Sequence, residues 1–118
     1  MKKKALSLLL SLALLLPFLP AARALDTGLC GDMIYWELRD SGELYFNGVG
    51  EMYDYEYIDD IPWHSLTSKI TSIYVNSGIT HIGDSAFVDC VYAAKVTLPD
   101  TLTSMGKYAF VNCGTLTD

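Results

Sequence analysis

Between Ile34 and Asn47, apolar and polar positions change places every second residue. Ile34, Trp36 and Leu38 fall on one side, with Tyr35, Glu37 and Arg39 on the other. After Asp40-Ser41-Gly42 the alternation resumes, with Leu44 and Phe46 against Tyr45 and Asn47. A period of two on both sides of such a turn predicts a β-hairpin, Gly42 supplying the positive φ that the turn needs. Gly48 and Gly50 predict that the second strand ends in a bulge or a sharp bend. One face of this hairpin is apolar and must be covered, and the region that follows is the nearest cover.

Further along, the pattern repeats itself. Residues 81–90 read HIGDSAFVDC and residues 104–113 read SMGKYAFVNC, an offset of 23. The same offset brings Ile73-Tyr74-Val75 over Val96-Thr97-Leu98, Ile79 over Leu102, Ile82 over Met105 and Gly83 over Gly106. Apolar positions coincide while the residues between them differ, which is the signature of a solenoid. Each coil is predicted to open with a short parallel strand and to turn at Asn76-Ser77-Gly78 or Pro99-Asp100. A second extended segment follows, then a short helical turn that presents Ala, Phe and Cys inward. One coil buries too little apolar surface to stand alone, so stacking on a neighbour is obligatory. The fold class expected is an α/β repeat, mainly β: an N-terminal hairpin module capping a short solenoid of about two 23-residue coils. The boundaries expected are 1–24 for a leader, 25–66 for the capping module with an acidic, tyrosine-rich loop, and 67–118 for the repeats, read as a truncated array.

The segment Ile82-Gly83-Asp84-x-Ala86-Phe87-x-x-Cys90, followed by Val96-Thr97-Leu98-Pro99-Asp100-x-Leu102-x-x-Met105-Gly106-x-x-Ala109-Phe110, resembles the BspA-like leucine-rich repeats of bacterial surface proteins. The N-terminal part is similar to the module that often precedes such arrays. It matches at Cys30-Gly31-Asp32, Trp36-x-Leu38, Asp40-x-Gly42-x-Leu44, Gly48-x-Gly50-x-Met52 and Pro62-Trp63. The resemblance implies a right-handed solenoid and a role in adhesion or in binding proteins and host surfaces. Two departures stand out. Ala93 occupies the place where the family usually carries leucine, as Leu116 does after Cys113, so the first coil packs loosely unless Val91 or Tyr92 fills the gap. The next strand of the pattern is due at position 119, beyond Asp118, so the strand at Val96–Leu98 is expected to be an open edge, a liability for self-association or strand addition.

The ends change the charge. Lys2, Lys3 and Lys4 precede an apolar run from Ala5 to Leu19, and Ala22-Arg23-Ala24 places small residues as a cleavage site requires, the pattern of a secretory signal peptide. Its removal leaves four basic and 14 acidic side chains, a net of −10. Such a surface repels phosphate backbones and anionic lipid, so nucleic acid and membrane are poor partners. The location expected is secreted or cell-surface. Three cysteines remain, Cys30, Cys90 and Cys113, with no C-x-x-C pair or other zinc spacing. Equivalent positions in stacked coils lie about 4.8 Å apart, within disulfide range, but with parallel side chains. A buried ladder of free thiols is the favoured reading, and a Cys90–Cys113 bridge is the alternative.

Chemistry is sparse. EMYDYEYIDDIPWH sets acids among Tyr53, Tyr55 and Tyr57 before Pro62-Trp63, with Trp63 read as an apolar plug. Asp54, Glu56, Asp59 and Asp60 suggest a calcium loop, yet their spacing does not follow the twelve-residue ligand pattern. The plainer reading is a solvated loop with tyrosines over the core edge. His64-Ser65 sits in no G-x-S-x-G elbow, His81 aligns with Ser104 at a variable position expected to face solvent, and Gly48-x-Gly50 lacks the third glycine of a phosphate loop. No enzyme and no cofactor are expected. Contacts are expected from the outward strand positions Ser72, Tyr74, Lys95 and Thr97 and from the three loop tyrosines, since tyrosine offers large area at low entropic cost. The alternatives are a carbohydrate- or calcium-binding module, or part of a larger secreted hydrolase with the repeats as scaffold.

Overall fold

The computed structural model describes residues 23–116, so the expected leader, apart from Arg23 and Ala24, lies outside the described residues. The described chain is mainly β. Its strands are β1 (Ala24–Gly31), β2 (Ile34–Arg39), β3 (Glu43–Gly48), β4 (Gly50–Glu51), β5 (Ser72–Val75), β6 (Ile79–Ile82), β7 (Lys95–Thr97) and β8 (Ser104–Met105). Helix is confined, among the described residues, to two 3-10 segments, Ile58–Asp60 and His64–Lys69.

The predicted hairpin is β2–β3, antiparallel with Trp36 opposite Phe46, and Gly42 turns it with φ +100°. Two features of the sheet go beyond the expectation. β1 adds a third antiparallel strand outside β2, and β3 pairs in parallel with β5, Tyr45 opposite Tyr74. The order β1-β2-β3-β5-β7 therefore runs unbroken from the hairpin into the repeats. The glycines do mark a sharp bend. With φ +139° at Gly48 and +100° at Gly50, the chain leaves this sheet and enters a second one, ordered β4-β6-β8.

Both sheets carry the offset of 23. Ile73 pairs with Val96 in β5–β7, and Ile82 with Met105 in β6–β8, both parallel. The expected helical turn at 86–90 is replaced by consecutive turns. Ser85 and Asp89 are left-handed, at φ +60° and +67°, as are their counterparts Tyr108 and Asn112. The reason lies in where the amides go. Those of Ser85, Phe87 and Asp89 donate to the carbonyls of Lys107, Ala109 and Val111 in the next rung, and an amide spent between rungs is withheld from a helix.

One core joins the two halves. Ile34, Trp36, Leu38, Leu44 and Phe46 of the hairpin are buried together with Ile73, Val75, Ile79, Ile82, Ala86 and Phe87. Trp63 is the plug expected of it, fully buried, its Nε1 donating to the Ala86 carbonyl at 2.7 Å. Phe46, Trp36 and Tyr55 meet its ring edge-on at 5.0, 5.6 and 5.9 Å. Ala93 is itself buried while Tyr92 is exposed, so Tyr92 does not fill the leucine position.

Candidate functional site

Alternation along β2, β3 and β5 turns every second side chain away from the core, and the in-register pairing lines these up across strands. Tyr45 stands against Tyr74 with ring centroids 4.9 Å apart and planes 18° from parallel. The Arg39 guanidinium lies over the other face of Tyr45 at 4.6 Å, and the Lys95 ammonium lies 5.9 Å from the Tyr74 centroid. The result is a column, Arg39–Tyr45–Tyr74–Lys95, crossing four strands. Glu37 pairs with Arg39 at 2.9 Å, which fixes the guanidinium and offsets its charge. Beside the column, Asn76 donates from its side-chain amide to Oδ1 of the Asn47 side chain. Stacked tyrosines with flanking cations offer rigid aromatic edges and several donors on one exposed face.

Of the strand positions expected here, Ser72 and Tyr74 are half-buried and Lys95 and Thr97 exposed, all on this face. The loop tyrosines divide. Tyr53 and Tyr57 are exposed, whereas Tyr55 is 8% exposed and packs on Trp63, which removes it from any contact surface. Tyr53 donates to Asp32 at 3.0 Å, and that bond raises its pKa; burial raises that of Tyr55. Sequence reasoning missed Arg39 and Tyr45. The signal was available: Leu44-Tyr45-Phe46-Asn47 matches Ile73-Tyr74-Val75-Asn76 at an offset of 29, so the hairpin's second strand behaves as a further rung.

On the second sheet His81 corrects its expectation. Rather than facing solvent, its side chain is 16% exposed and held at both ends, by Asp54 Oδ1 at 2.9 Å and Ser104 Oγ at 2.7 Å. The connectivity is that of a serine–histidine–aspartate relay, but Ser104 is exposed on a two-residue strand, and each bond ties one rung to the next. Asp54 also accepts from the Asp84 amide at 2.9 Å, and the His81 bond leads in holding its carboxyl below the usual range. A second row joins His64 to Asp89 at 2.9 Å and Asn112 to the same carboxylate at 2.9 Å; the Asn112 bond leads in lowering Asp89.

Asp54 is committed to His81 and Asp84, and among the described residues no three His, Cys, Asp or Glu side chains converge as metal ligands. Cys30, Cys90 and Cys113 are all free thiols, so the Cys90–Cys113 bridge is not formed. Burial pushes Cys30 and Cys90 up to about 12, and Cys113, half-buried, is raised as well.

Parallel rungs at a fixed offset, in two sheets around one core, define a mainly β repeat protein. Residues 58–118 match the family model described as the BspA type leucine rich repeat region (6 copies), and the chain belongs to that family. A leucine-rich repeat protein from Eubacterium ventriosum, known from a 2.50 Å crystal structure, is similar at 40% identity and a TM-score of 0.71. The likeness covers 74% of this chain and 23% of that one, so the chain spans about a quarter of that protein's length. No curated protein matches.

Proposed function

We propose that this is a non-catalytic, secreted or cell-surface leucine-rich-repeat module that binds a protein or host-surface ligand in an adhesive role. In this reading residues 25–66 form the cap, and residues 67–118 wind as a right-handed solenoid of about two 23-residue coils. The parallel register at that offset supports the winding. Proteins of this family are typically bacterial surface or secreted proteins, and the leader-like segment at 1–24 fits export.

The observation that carries the binding role is the Arg39–Tyr45–Tyr74–Lys95 column, with Ser72 and Thr97 beside it. The ring faces of the tyrosines are covered by each other and by the cations. A partner therefore meets ring edges, hydroxyls and charged tips, which suits a protein surface better than a sugar that needs an open ring face.

Biolayer interferometry of the chain against immobilised extracellular-matrix and mucosal proteins, beside a glycan array and a calcium titration, tests this. Saturable binding is expected in the protein arm, weakened about tenfold or more by Tyr45→Ala with Tyr74→Ala and unaffected by Tyr57→Ala. Binding confined to glycans or dependent on calcium, or unchanged in the double variant with its circular dichroism intact, would reject the sheet face as the site.

A further inference from the structure

The turn between β1 and β2 and the segment 49–54 border a groove of about 560 Å³, within the range of clefts that take a ligand, roughly 300–1,000 Å³. Asp32 and Met33 line it from the turn, and Val49 to Asp54 from the segment. The two sides are tied together. The Val49 amide donates to the Met33 carbonyl at 3.1 Å, the Tyr53 amide to the Cys30 carbonyl at 2.8 Å, and the Tyr53 hydroxyl to Asp32 Oδ1 at 3.0 Å. Gly50 leaves the backbone bare, since a Cβ there would meet nothing within 4 Å. β4 is the first strand of its sheet, and pairing beyond β8 falls on the side away from it. Ala24 stands opposite Arg39, at the other end of β1 from the turn.

The lining mixes apolar and acidic groups. Met33 is 64% exposed and Val49 54%, and buried Met52 lies with them in the groove. Apolar side chains left in solvent next to one another mark a contact surface, and thioethers adapt to whatever packs on them. Asp32, Glu51 and Asp54 also line the groove, and no lysine or arginine does. Among the described residues neither Asp32 nor Glu51 belongs to an ion pair. Nor do the carboxylates gather as metal ligands would. Acids spaced among apolar side chains match a polypeptide with the complementary spacing better than they match a single ion. Lysine and arginine suit both components, because their stems lie along apolar surface while their heads reach a carboxylate.

We infer that this groove docks a segment of a partner protein in which lysine or arginine stands beside an apolar side chain. The cationic heads meet Asp32 and Glu51, and the apolar side chain rests on Met33 and Val49. The groove shares no residue with the Arg39–Tyr45–Tyr74–Lys95 column, so the two surfaces can be tested apart.

The probe is a fluorescein-labelled nonapeptide of alternating lysine and leucine, titrated with the chain by fluorescence anisotropy. A lysine–glycine peptide of equal charge and a glutamate–leucine peptide run beside it. Saturable binding of the lysine–leucine peptide is expected, weakening as salt rises, about tenfold tighter than lysine–glycine and absent for glutamate–leucine. Asp32→Asn with Glu51→Gln should weaken it about tenfold, and Met33→Ser with Val49→Ser by a similar factor, with circular dichroism unchanged because all four positions are exposed. Asp59→Asn with Asp60→Asn removes the same charge outside the groove and should leave the affinity within about twofold of the parent. Tyr45→Ala with Tyr74→Ala should do the same. Equal affinity for the lysine–glycine peptide, or equal losses from the two acidic pairs, would reduce the effect to attraction by an acidic chain at large and overturn the inference. Failure of the lysine–leucine peptide to bind overturns it as well. So does self-association of the chain that Met33→Ser with Val49→Ser abolishes, since a second copy would then be the occupant.

Discussion

Gly83 and Gly106 occupy the same place in successive rungs, and both are there for space. A Cβ on Gly83 would lie 1.8 Å from the Tyr53 carbonyl oxygen, and one on Gly106 would lie 2.4 Å from the Asp84 amide nitrogen. Neither glycine has the positive φ that makes the residue necessary for conformational reasons; the preceding rung's backbone simply passes where a side chain would start. Gly114 differs, since a Cβ there meets nothing within 4 Å. Gly83→Ala should therefore destabilise the fold by about 3 kcal/mol as an overpacked site whose neighbour is backbone and does not yield. Gly114→Ala should fall within about 0.5 kcal/mol of the parent. Urea denaturation of the two variants checks the pair, and equal midpoints would refute the close-approach account. The recurrence of the glycine was plain in the sequence. Its cause was not, because the clash is with a residue 30 positions earlier in an irregular loop.

Between elements, the side-chain rows tie rung to rung: Asp54 to His81 to Ser104, and His64 to Asp89 to Asn112. Folding lowers the pKa of both aspartates, so below about pH 4 the unfolded chain binds more protons than the folded one. Their contribution is complete above that value and drains away as pH falls through the depressed folded pKa. The acid limb of stability should therefore be shallower in Asp54→Asn and in Asp89→Asn than in the parent. The difference in urea midpoint between parent and variant, full at pH 6, should close as the solution approaches pH 2. A difference that persists unchanged at the acid end would show that shape, rather than charge, is what these residues provide. These rows also mark the limit of reading by pattern. The strands β2, β3, β5 and β7 and the offset between rungs follow from alternation and self-similarity, which local sequence records. β1 does not alternate cleanly, every residue before Cys30 being exposed except the half-buried Gly28. The parallel pairing of β3 with β5 is a long-range choice, made by the shared core under Phe46 and Val75, and the tyrosine column depends on that choice. The helical turn failed for a related reason: amides committed to the next rung are invisible in the segment that carries them.

For the whole molecule, the unbroken five-stranded sheet and the aromatic hub mean that the N-terminal hairpin and the rungs that follow share one core. Trp63, from the capping half, lies against Phe46 of the hairpin at 5.0 Å and Phe87 of the first rung at 6.2 Å, and Phe46 itself meets Phe87 at 5.4 Å. The two tryptophans of the chain, Trp36 and Trp63, both precede β5 and report on the N-terminal part of the core. Phe87→Ala removes a fully buried ring and should cost about 3–5 kcal/mol, a large share of the roughly 5–15 kcal/mol typical of a domain. If the halves cooperate, tryptophan fluorescence and far-UV circular dichroism will shift to lower urea by the same amount and remain coincident in the variant, as in the parent. If the cap folds by itself, the fluorescence midpoint will hold its place while the dichroism separates into two steps. Coincidence is the expected result, because the apolar face of the hairpin has no cover within residues 25–66 that matches what Ile73, Ile79 and Phe87 supply.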